Sequence, residues 1–159
     1  MNKILSFEKS IGAVVFRREG KKVKYLLLRY PGGHWGFIKG HIEKLESNEQ
    51  TFRREAREET GIVELKIISG FLGQEKYFYI AKNEEKEKRK KASRGWFIFK
   101  KVFYYLAETK QKKIVLSSEH KDYIWMEYAQ AYNRVTNFNS KKVLEKANLF
   151  LITKLEVLF

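Results

Sequence analysis

The feature that most constrains this chain is a cluster of acidic side chains within residues 40–62, GHIEKLESNEQTFRREAREETGI. Glu55, Glu58 and Glu59 follow helical spacing, so their carboxylates fall within an arc of roughly 100° on one side of a helix. Like charges at this spacing repel, and a sequence selected for helix stability alone would avoid them. A divalent cation such as Mg²⁺ would relieve the repulsion, because it binds carboxylate oxygens. From these residues alone, a solvated acidic helix face remains the alternative.

Signals at both ends of the stretch predict the helix that carries this cluster. Ser47, followed three residues later by Gln50, is a capping-box pattern, which predicts a helix that begins at Asn48. Gly61 can adopt the left-handed conformation that ends a helix. The acidic cluster is therefore predicted on a helix bounded by a loop on each side.

The spacing of the whole stretch resembles the signature of the Nudix hydrolases. Gly40 is followed after five residues by Glu46, and after seven more by R-E-A-x-E-E-x-G-I, in agreement with every defined position of that signature. The resemblance implies an α/β fold, a Nudix-type α/β/α sandwich with a mixed β-sheet. It also implies a hydrolase in which bound divalent ions assist attack of water on a phosphoanhydride bond.

Three further segments are similar to one branch of that family, the asymmetric diadenosine tetraphosphate hydrolases. HWGFIKGHIEKLES resembles the HW-x-x-P-KGH-x-E-x-GE segment of the branch, with Ile38 in place of proline and Leu45 in place of glycine. LSSEHKDYIW, residues 116–125, resembles its LS-x-EH-x-x-Y-x-W segment, and KKVFYYLAE is similar to one of its strands. The loss of a turn glycine is expected to cost stability if the backbone angle φ at residue 45 is positive.

The resemblance implies roles for three sets of residues. The metal ions would be held by carboxylates and a backbone carbonyl: Gly40, Glu55, Glu58, Glu59 and Glu119. The catalytic set would be Glu55, Glu58, Glu119 and Arg54, with Arg54 holding a carboxylate in place and either Glu55 or Glu119 taking the proton from water. The substrate would contact Lys39, His41, Tyr77, Tyr79, Lys100 and Tyr104. For Lys100 an edge-strand lysine is the alternative, and we expect His120 to be a loop histidine hydrogen-bonded to the backbone.

The function implied by these residues is metal-dependent hydrolysis of dinucleoside polyphosphates, with diadenosine tetraphosphate cleaved to ATP and AMP. Mg²⁺ is the expected cofactor and Mn²⁺ is possible. One alternative is removal of pyrophosphate from the 5′ end of RNA, or from another nucleoside polyphosphate. A non-catalytic module that binds nucleotides or RNA is a further alternative, although such a module has no physical reason to retain mutually repelling carboxylates.

Composition limits the other classes of protein. The 159 residues suit one domain over residues 1–159, and the lack of cysteine excludes a disulfide framework. Because the apolar runs are short, we expect a cytoplasmic protein without a membrane segment, and we expect it to be a monomer. The formal net charge of +14 is expected to attract polyanions, either nucleotides or RNA.

The remaining pattern predicts the order of the elements. Residues 11–18 and 22–30 are expected to form a β-hairpin, and further strands are predicted at 63–70, 71–81, 95–108 and 112–116. Helices are predicted at 128–135 and, capped by Ser140, at 141–155. Residues 82–95 form a charged insertion whose lysine-rich part has one apolar residue, Ala92, so we expect an exposed, mobile loop.

Overall fold

A computed structural model of the chain describes the backbone of residues 4–157 and the side chains of residues 4–154. The strands are β1 (Leu5–Glu19), β2 (Lys22–Arg29), β3 (Trp35–Gly36), β4 (Ile38–His41), β5 (Lys66–Ile67), β6 (Gly73–Ile80), β7 (Phe97–Glu108) and β8 (Asp122–Glu127). The helices are α1 (Asn48–Thr60), α2 (Asn83–Lys91), α3 (Tyr128–Arg134) and α4 (Phe138–Val157). Among the described helices, none is long and apolar enough to cross a membrane.

Strand β1 organises a single mixed sheet. It forms the predicted hairpin with β2, in which Gly20 takes a φ of 59°, and it also pairs antiparallel with β4. On its other side β1 runs parallel to β7 from Leu5 beside Phe97 to Phe16 beside Glu108. Strands β5 and β6 pair with β7, while β3 and β8 pair with β2. The sheet therefore contains both parallel and antiparallel neighbours, as expected.

Helices cover both faces of this sheet because successive strand residues point to opposite sides. Phe52 and Ala56 of α1 pack on one face, against side chains such as Ile11 and Val15 of β1. On the other face, α3 and α4 bury Ala131, Val135, Val143, Leu144, Ala147 and Leu151 against β1 and β7. The α/β/α sandwich expected from the sequence is confirmed.

The charged insertion contains the helix α2, so the prediction of a loop at residues 82–95 was wrong, although most of its side chains are exposed as expected. Arg89 of α2 is buried, with its side chain between Glu8 of β1 and Glu85 one helical turn away. Its Nη1 donates to Glu8 Oε1 at 2.8 Å, and its Nε donates to Glu85 Oε1 at 2.9 Å. The segment is anchored by charge-assisted hydrogen bonds rather than by apolar side chains, which is why composition alone misled the prediction.

Three smaller predictions also differ from the structure. The strand predicted at 63–70 is reduced to β5, and residues 112–116 are not a strand. Instead, the Val115 N–H donates to Thr60 O at 2.9 Å and the Ser117 N–H donates to Glu59 O at 3.2 Å, so this segment follows the end of α1. Ser140 does not cap α4, because the helix begins at Phe138 and Ser140 Oγ bonds Glu75 Oε2 at 2.9 Å.

Candidate active site

The caps of α1 fix where the acidic helix begins and ends. Ser47 is the N-cap, and its Oγ accepts from the Gln50 N–H at 3.1 Å, while the Gln50 side chain accepts from the Ser47 N–H at 2.8 Å. Gly61 ends the helix with a φ of 72°, and its N–H donates to Arg57 O. Both caps agree with the sequence prediction. Burial of Phe52 and Ala56 against the sheet sets the rotation of the helix, so that its acidic arc faces a cavity beside β4.

Arg54 holds several carboxylates in place around this cavity. Its Nε and Nη2 donate to the two oxygens of Glu46, at 2.6 and 3.2 Å. Its Nη1 donates to Glu55 Oε1 at 2.9 Å and to Glu58 Oε2 at 3.1 Å, and its Nη2 also donates to His41 O at 2.9 Å. The hydrogen bond from Arg54 lowers the pKa of Glu46 to about 2, so Glu46 is the charged partner that orients the guanidinium.

The carboxylate of Glu55 lies directly against the backbone of Gly40. A Cβ atom at residue 40 would lie 2.0 Å from Cδ of Glu55, so β4 and α1 can approach this closely only with glycine there. Burial, followed by the nearby charge of Glu59, raises the pKa of Glu55 to about 7, although Arg54 opposes the shift. Glu55 therefore titrates close to neutral pH in the metal-free protein.

Glu59 presents a buried oxygen without a hydrogen-bond partner. Glu59 is 3% exposed, and among the described residues no hydrogen-bond donor reaches its Oε2. His120 Nε2 lies 3.3 Å from Glu59 Oε1, in ion-pair range but not aligned for a hydrogen bond. Burial raises the pKa of Glu59, while His120 opposes the rise. An unpaired buried carboxylate oxygen is costly, so this position is suited to a ligand that supplies positive charge.

Glu119 and His120 come to Glu59 because residues 115–117 are hydrogen-bonded to the end of α1. One ligand atom from each of Glu59, Glu119 and His120 lies within 4.8 Å of the others. His120 is buried and packs edge-on against Tyr30 at a ring-centroid distance of 4.6 Å. Neither of its ring nitrogens bonds the backbone, so the expectation of a backbone-bonded histidine was wrong. The sequence signal that could have placed His120 in the site was its position directly after Glu119.

The donor set in this cavity fits a hard divalent cation. The orphaned Oε2 of Glu59 and the exposed carboxylates of Glu58 and Glu119 line one cavity of about 550 Å³, together with Glu55. Carboxylate oxygens in this number suit Mg²⁺ or Mn²⁺. Glu58, Glu59 and Glu119 are the residues that would hold such ions.

Basic side chains face the carboxylates across the same cavity. Lys100 of β7 lies between Glu8 of β1 and Tyr77 of β6, so it is not on an edge strand. Burial lowers the pKa of Lys39 and, with the charge of Lys39, the pKa of Lys100. Burial and the charge of Lys100 lower the pKa of His41. Lys39 and Lys100 therefore bring positive charge to the cavity that the acidic arc lines, and His41 adds an imidazole that the lowered pKa keeps mostly neutral at neutral pH.

A second cavity, of about 500 Å³, adjoins the first and is lined by aromatic rings. Tyr30 and Lys39 belong to both cavities, and Lys39 Nζ lies 5.7 Å from the ring centroid of Tyr30 and 5.4 Å from that of Tyr77. Tyr77 and Tyr79 stack on one wall with centroids 6.2 Å apart. Tyr104 is 1% exposed and donates to Glu75 Oε2 at 3.2 Å, so it forms the floor. No sequence pattern had identified Tyr30 as a residue that lines both cavities.

The structure brings every predicted site residue to one of the two adjoining cavities. The acidic cavity is lined by Lys39, Gly40, His41, Arg54, Glu55, Glu58, Glu59, Lys100 and Glu119. The aromatic cavity is lined by Lys39, Tyr77, Tyr79 and Tyr104, together with Tyr30, His34, Trp35 and Phe37.

A family profile described as NUDIX domain matches residues 6–147 of this chain. This chain belongs to the Nudix family. An asymmetrical bis(5′-nucleosyl)-tetraphosphatase of Sus scrofa is 33% identical over 155 residues, which cover 90% of this chain and 95% of that relative. A Caenorhabditis elegans relative with the same name is 30% identical over 146 residues, covering 90% and 96%. The crystal structure of a C. elegans Ap4A hydrolase binary complex has a TM-score of 0.72 at 29% identity, covering 92% of this chain and 98% of its own.

These comparisons confirm the Nudix family and fold inferred from the signature, and the relatives bear the name of the branch that the sequence resembles. The structure also shows the surroundings of the two residues that differ from the pattern of that branch. Ile38 is buried in β4 opposite Ala13. Leu45 is 94% exposed and has a φ of 68°, a conformation that favours glycine. The Nudix loop therefore carries backbone strain at residue 45.

Proposed function

We propose that this chain is a divalent-metal-dependent hydrolase that cleaves diadenosine tetraphosphate asymmetrically to ATP and AMP. The observation that carries the proposal is that two cavities share Tyr30 and Lys39 in their lining. One cavity is lined by aromatic rings, and the other is lined by carboxylates together with Lys39 and Lys100. The relatives named for this activity cover most of the chain, which supports the choice of substrate.

In this proposal the aromatic cavity holds one adenosine. Tyr77 and Tyr79 offer ring faces on which a base can stack, and such stacking does not require base-specific hydrogen bonds. The phosphate chain passes Lys39 into the acidic cavity, where Lys100 and His41 line the wall. Because burial makes the ammonium groups of Lys39 and Lys100 costly, an anionic ligand there stabilises their charged forms.

Bound divalent ions would supply charge that offsets the phosphate oxygens and makes water a stronger acid. Glu59 and Glu119 would hold these ions, with Glu58 and the carbonyl of residue 40. The oxygen of water forms a bond to phosphorus, the bridging P–O bond breaks, and the water proton moves to a carboxylate.

Glu55 is the proton acceptor in this scheme, in preference to Glu119. Burial and the charge of Glu59 raise its pKa above that of an ordinary glutamate, which makes its carboxylate a stronger proton acceptor. Arg54 Nη1 already bonds Oε1 of Glu55, so Oε2 is the oxygen that receives the proton. Arg54 acts by positioning this carboxylate and does not take part in proton transfer.

The test is incubation of the protein with diadenosine tetraphosphate and Mg²⁺ in ¹⁸O-labelled water. We expect ATP and AMP, one of them carrying the label, and no turnover when EDTA removes the metal. Glu55→Gln should reduce kcat by about 10²- to 10⁴-fold, the usual contribution of a general base. Glu49→Gln, at an exposed residue in the first turn of the same helix, is the matched control and should keep the parental rate. Formation of ADP alone, or no turnover beside an active relative, would refute the proposal.

A second candidate is removal of pyrophosphate from the 5′ end of RNA. The formal net charge of +14 and the exposed Lys88, Lys90 and Lys91 in the last turn of α2 favour a polyanionic substrate. Turnover of a triphosphorylated RNA measured beside diadenosine tetraphosphate separates the two candidates by the ratio of their kcat/KM values.

A further inference from the structure

Three phenylalanine side chains form an exposed row across the ends of β6, β7 and β1. Phe99 pairs directly with Phe7 on one side and with Phe78 on the other, so all three point to the same face. Phe7 is 74% exposed, Phe78 is 51% exposed and Phe99 is 38% exposed. The rings of Phe7 and Phe99 have centroids 6.0 Å apart. A contiguous exposed aromatic surface of this kind marks an interaction site.

A row of three lysines lies next to the phenylalanine row. Lys101 pairs directly with Lys9 on β1 and with Lys76 on β6, so like charges are placed side by side on three adjacent strands. Such pairing is destabilising, and among the described side chains none of these lysines forms an ion pair with a carboxylate. The ammonium groups of Lys9 and Lys101 lie 5.1 and 5.2 Å from the ring centroid of Phe103, so two like charges share one ring. A polyanion would relieve the repulsion.

Neither neighbouring helix covers these two rows. Helix α2 packs on the opposite face, because its Arg89 binds Glu8, which alternates with Phe7 and Lys9 along β1. Helix α1 lies on the same face but farther along the sheet, where Phe52 packs against Tyr105 at a centroid distance of 5.1 Å.

We propose that this face binds single-stranded nucleic acid. The phenylalanine rings would stack on unpaired bases, and the lysines about 7 Å farther along the strands would contact the phosphates. The net charge of +14 favours the same partner. An interface with another protein, or with a second copy of this chain, would instead be depleted of lysine. The face lies outside both cavities of the candidate active site, so it goes beyond the hydrolysis proposed above and stands independently of it.

The test is fluorescence anisotropy of a 3′-labelled single-stranded RNA of about ten nucleotides with a 5′-hydroxyl end, titrated with the full chain. This RNA has no terminal phosphate for the active site, and no dinucleotide is present, so the result does not depend on the proposed hydrolysis. We expect Phe7→Ala to weaken binding by about 5-fold or more. Lys101→Gln should reduce the slope of log Kd against log salt concentration by about 1.

Phe138→Ala is the matched control, because Phe138 is 63% exposed and also lies beside a lysine, with Lys142 Nζ 4.9 Å from its ring centroid. It should bind the RNA within twofold of the parent. Thermal unfolding of each variant checks that the fold is retained, which is expected because Phe7 is largely exposed.

The proposal is overturned if the parent protein does not bind the RNA, or if Phe7→Ala and Phe138→Ala bind it equally. It is also overturned if a duplex of the same length binds as tightly as the single strand and if Phe7→Ala does not weaken either interaction. That result would mean that the protein attracts RNA by charge alone. Sedimentation that shows a dimer dissociated by Phe7→Ala, without RNA binding, would assign the face to a second copy. Binding to anionic vesicles but not to RNA would assign it to a lipid surface.

Discussion

Replacement of Glu55 by glutamine tests whether this buried carboxylate destabilises the metal-free protein. Glutamine has nearly the same shape and keeps an oxygen that can accept the 2.9 Å hydrogen bond from Arg54 Nη1. It removes the charge that burial and Glu59 disfavour. We therefore expect the variant to be more stable than the parent in EDTA, and increasingly so as the pH rises.

The size and sign of the effect follow from the pKa of Glu55, which is about 7 in the folded protein against an ordinary value of 4.5. Between these two values the folded protein binds the proton more tightly than the unfolded chain does, so the free energy of unfolding falls as the pH rises. The carboxylate then costs the parent about 3 kcal/mol at pH 8 and about 1 kcal/mol at pH 5. The advantage of Glu55→Gln should grow by about 2 kcal/mol over this range.

Urea unfolding of parent and variant at pH 5 and pH 8, each with EDTA, measures this difference. Glu58→Gln is the control, since Glu58 lies on the same helix and contacts the same arginine but is exposed. It should change the free energy of unfolding by no more than about 0.5 kcal/mol at either pH. An advantage of Glu55→Gln that is equal at both pH values, or absent at pH 8, would refute the assigned pKa and its cause.

Three further perturbations have defined outcomes. Leu45→Gly should raise the free energy of unfolding by about 1 kcal/mol in urea, because residue 45 has a positive φ and its side chain is exposed, and an unchanged midpoint would contradict the strain. Gly40→Ala should abolish diadenosine tetraphosphate hydrolysis in a rate assay, because its Cβ would overlap the Glu55 carboxylate, and parental kcat would show that the backbone yields there. Glu85→Ala should raise KM by about 5-fold with kcat nearly unchanged, because it removes the acceptor of the Tyr79 hydroxyl hydrogen bond, and a loss confined to kcat would exclude this positioning role.

The parts of the site that were predictable from sequence depend on interactions close in the chain. The caps of α1, formed by Ser47, Gln50 and Gly61, involve residues within or adjacent to one helix. The pairing of Arg54 with Glu58 spans four residues, which is the spacing of neighbours on one face of a helix. The family signature then supplied the fold, which periodicity alone merely permitted.

The parts that were missed depend on contacts between distant residues. Helix α2 is anchored by the pairing of Arg89 with Glu8, 81 positions apart, and nothing in the local lysine-rich composition reports that partner. His120 meets Glu59 only because residues 115–117 donate to the last carbonyls of α1. Sequence patterning of the segment suggested a strand, but helix carbonyls satisfied its backbone donors instead.

The parallel pairing of β1 with β7 sets the order in which the protein can assemble. Leu5 pairs with Phe97, about 90 positions later in the chain, so the first strand made on the ribosome waits for two-thirds of the sequence before its neighbour exists. A loop of this length must close before the contacts that stabilise it can form. Folding is therefore slow compared with that of a helical bundle. Until β7 has emerged, the edge of β1 that pairs with it stays open, although β2, β4 and the acidic helix can already pack against β1.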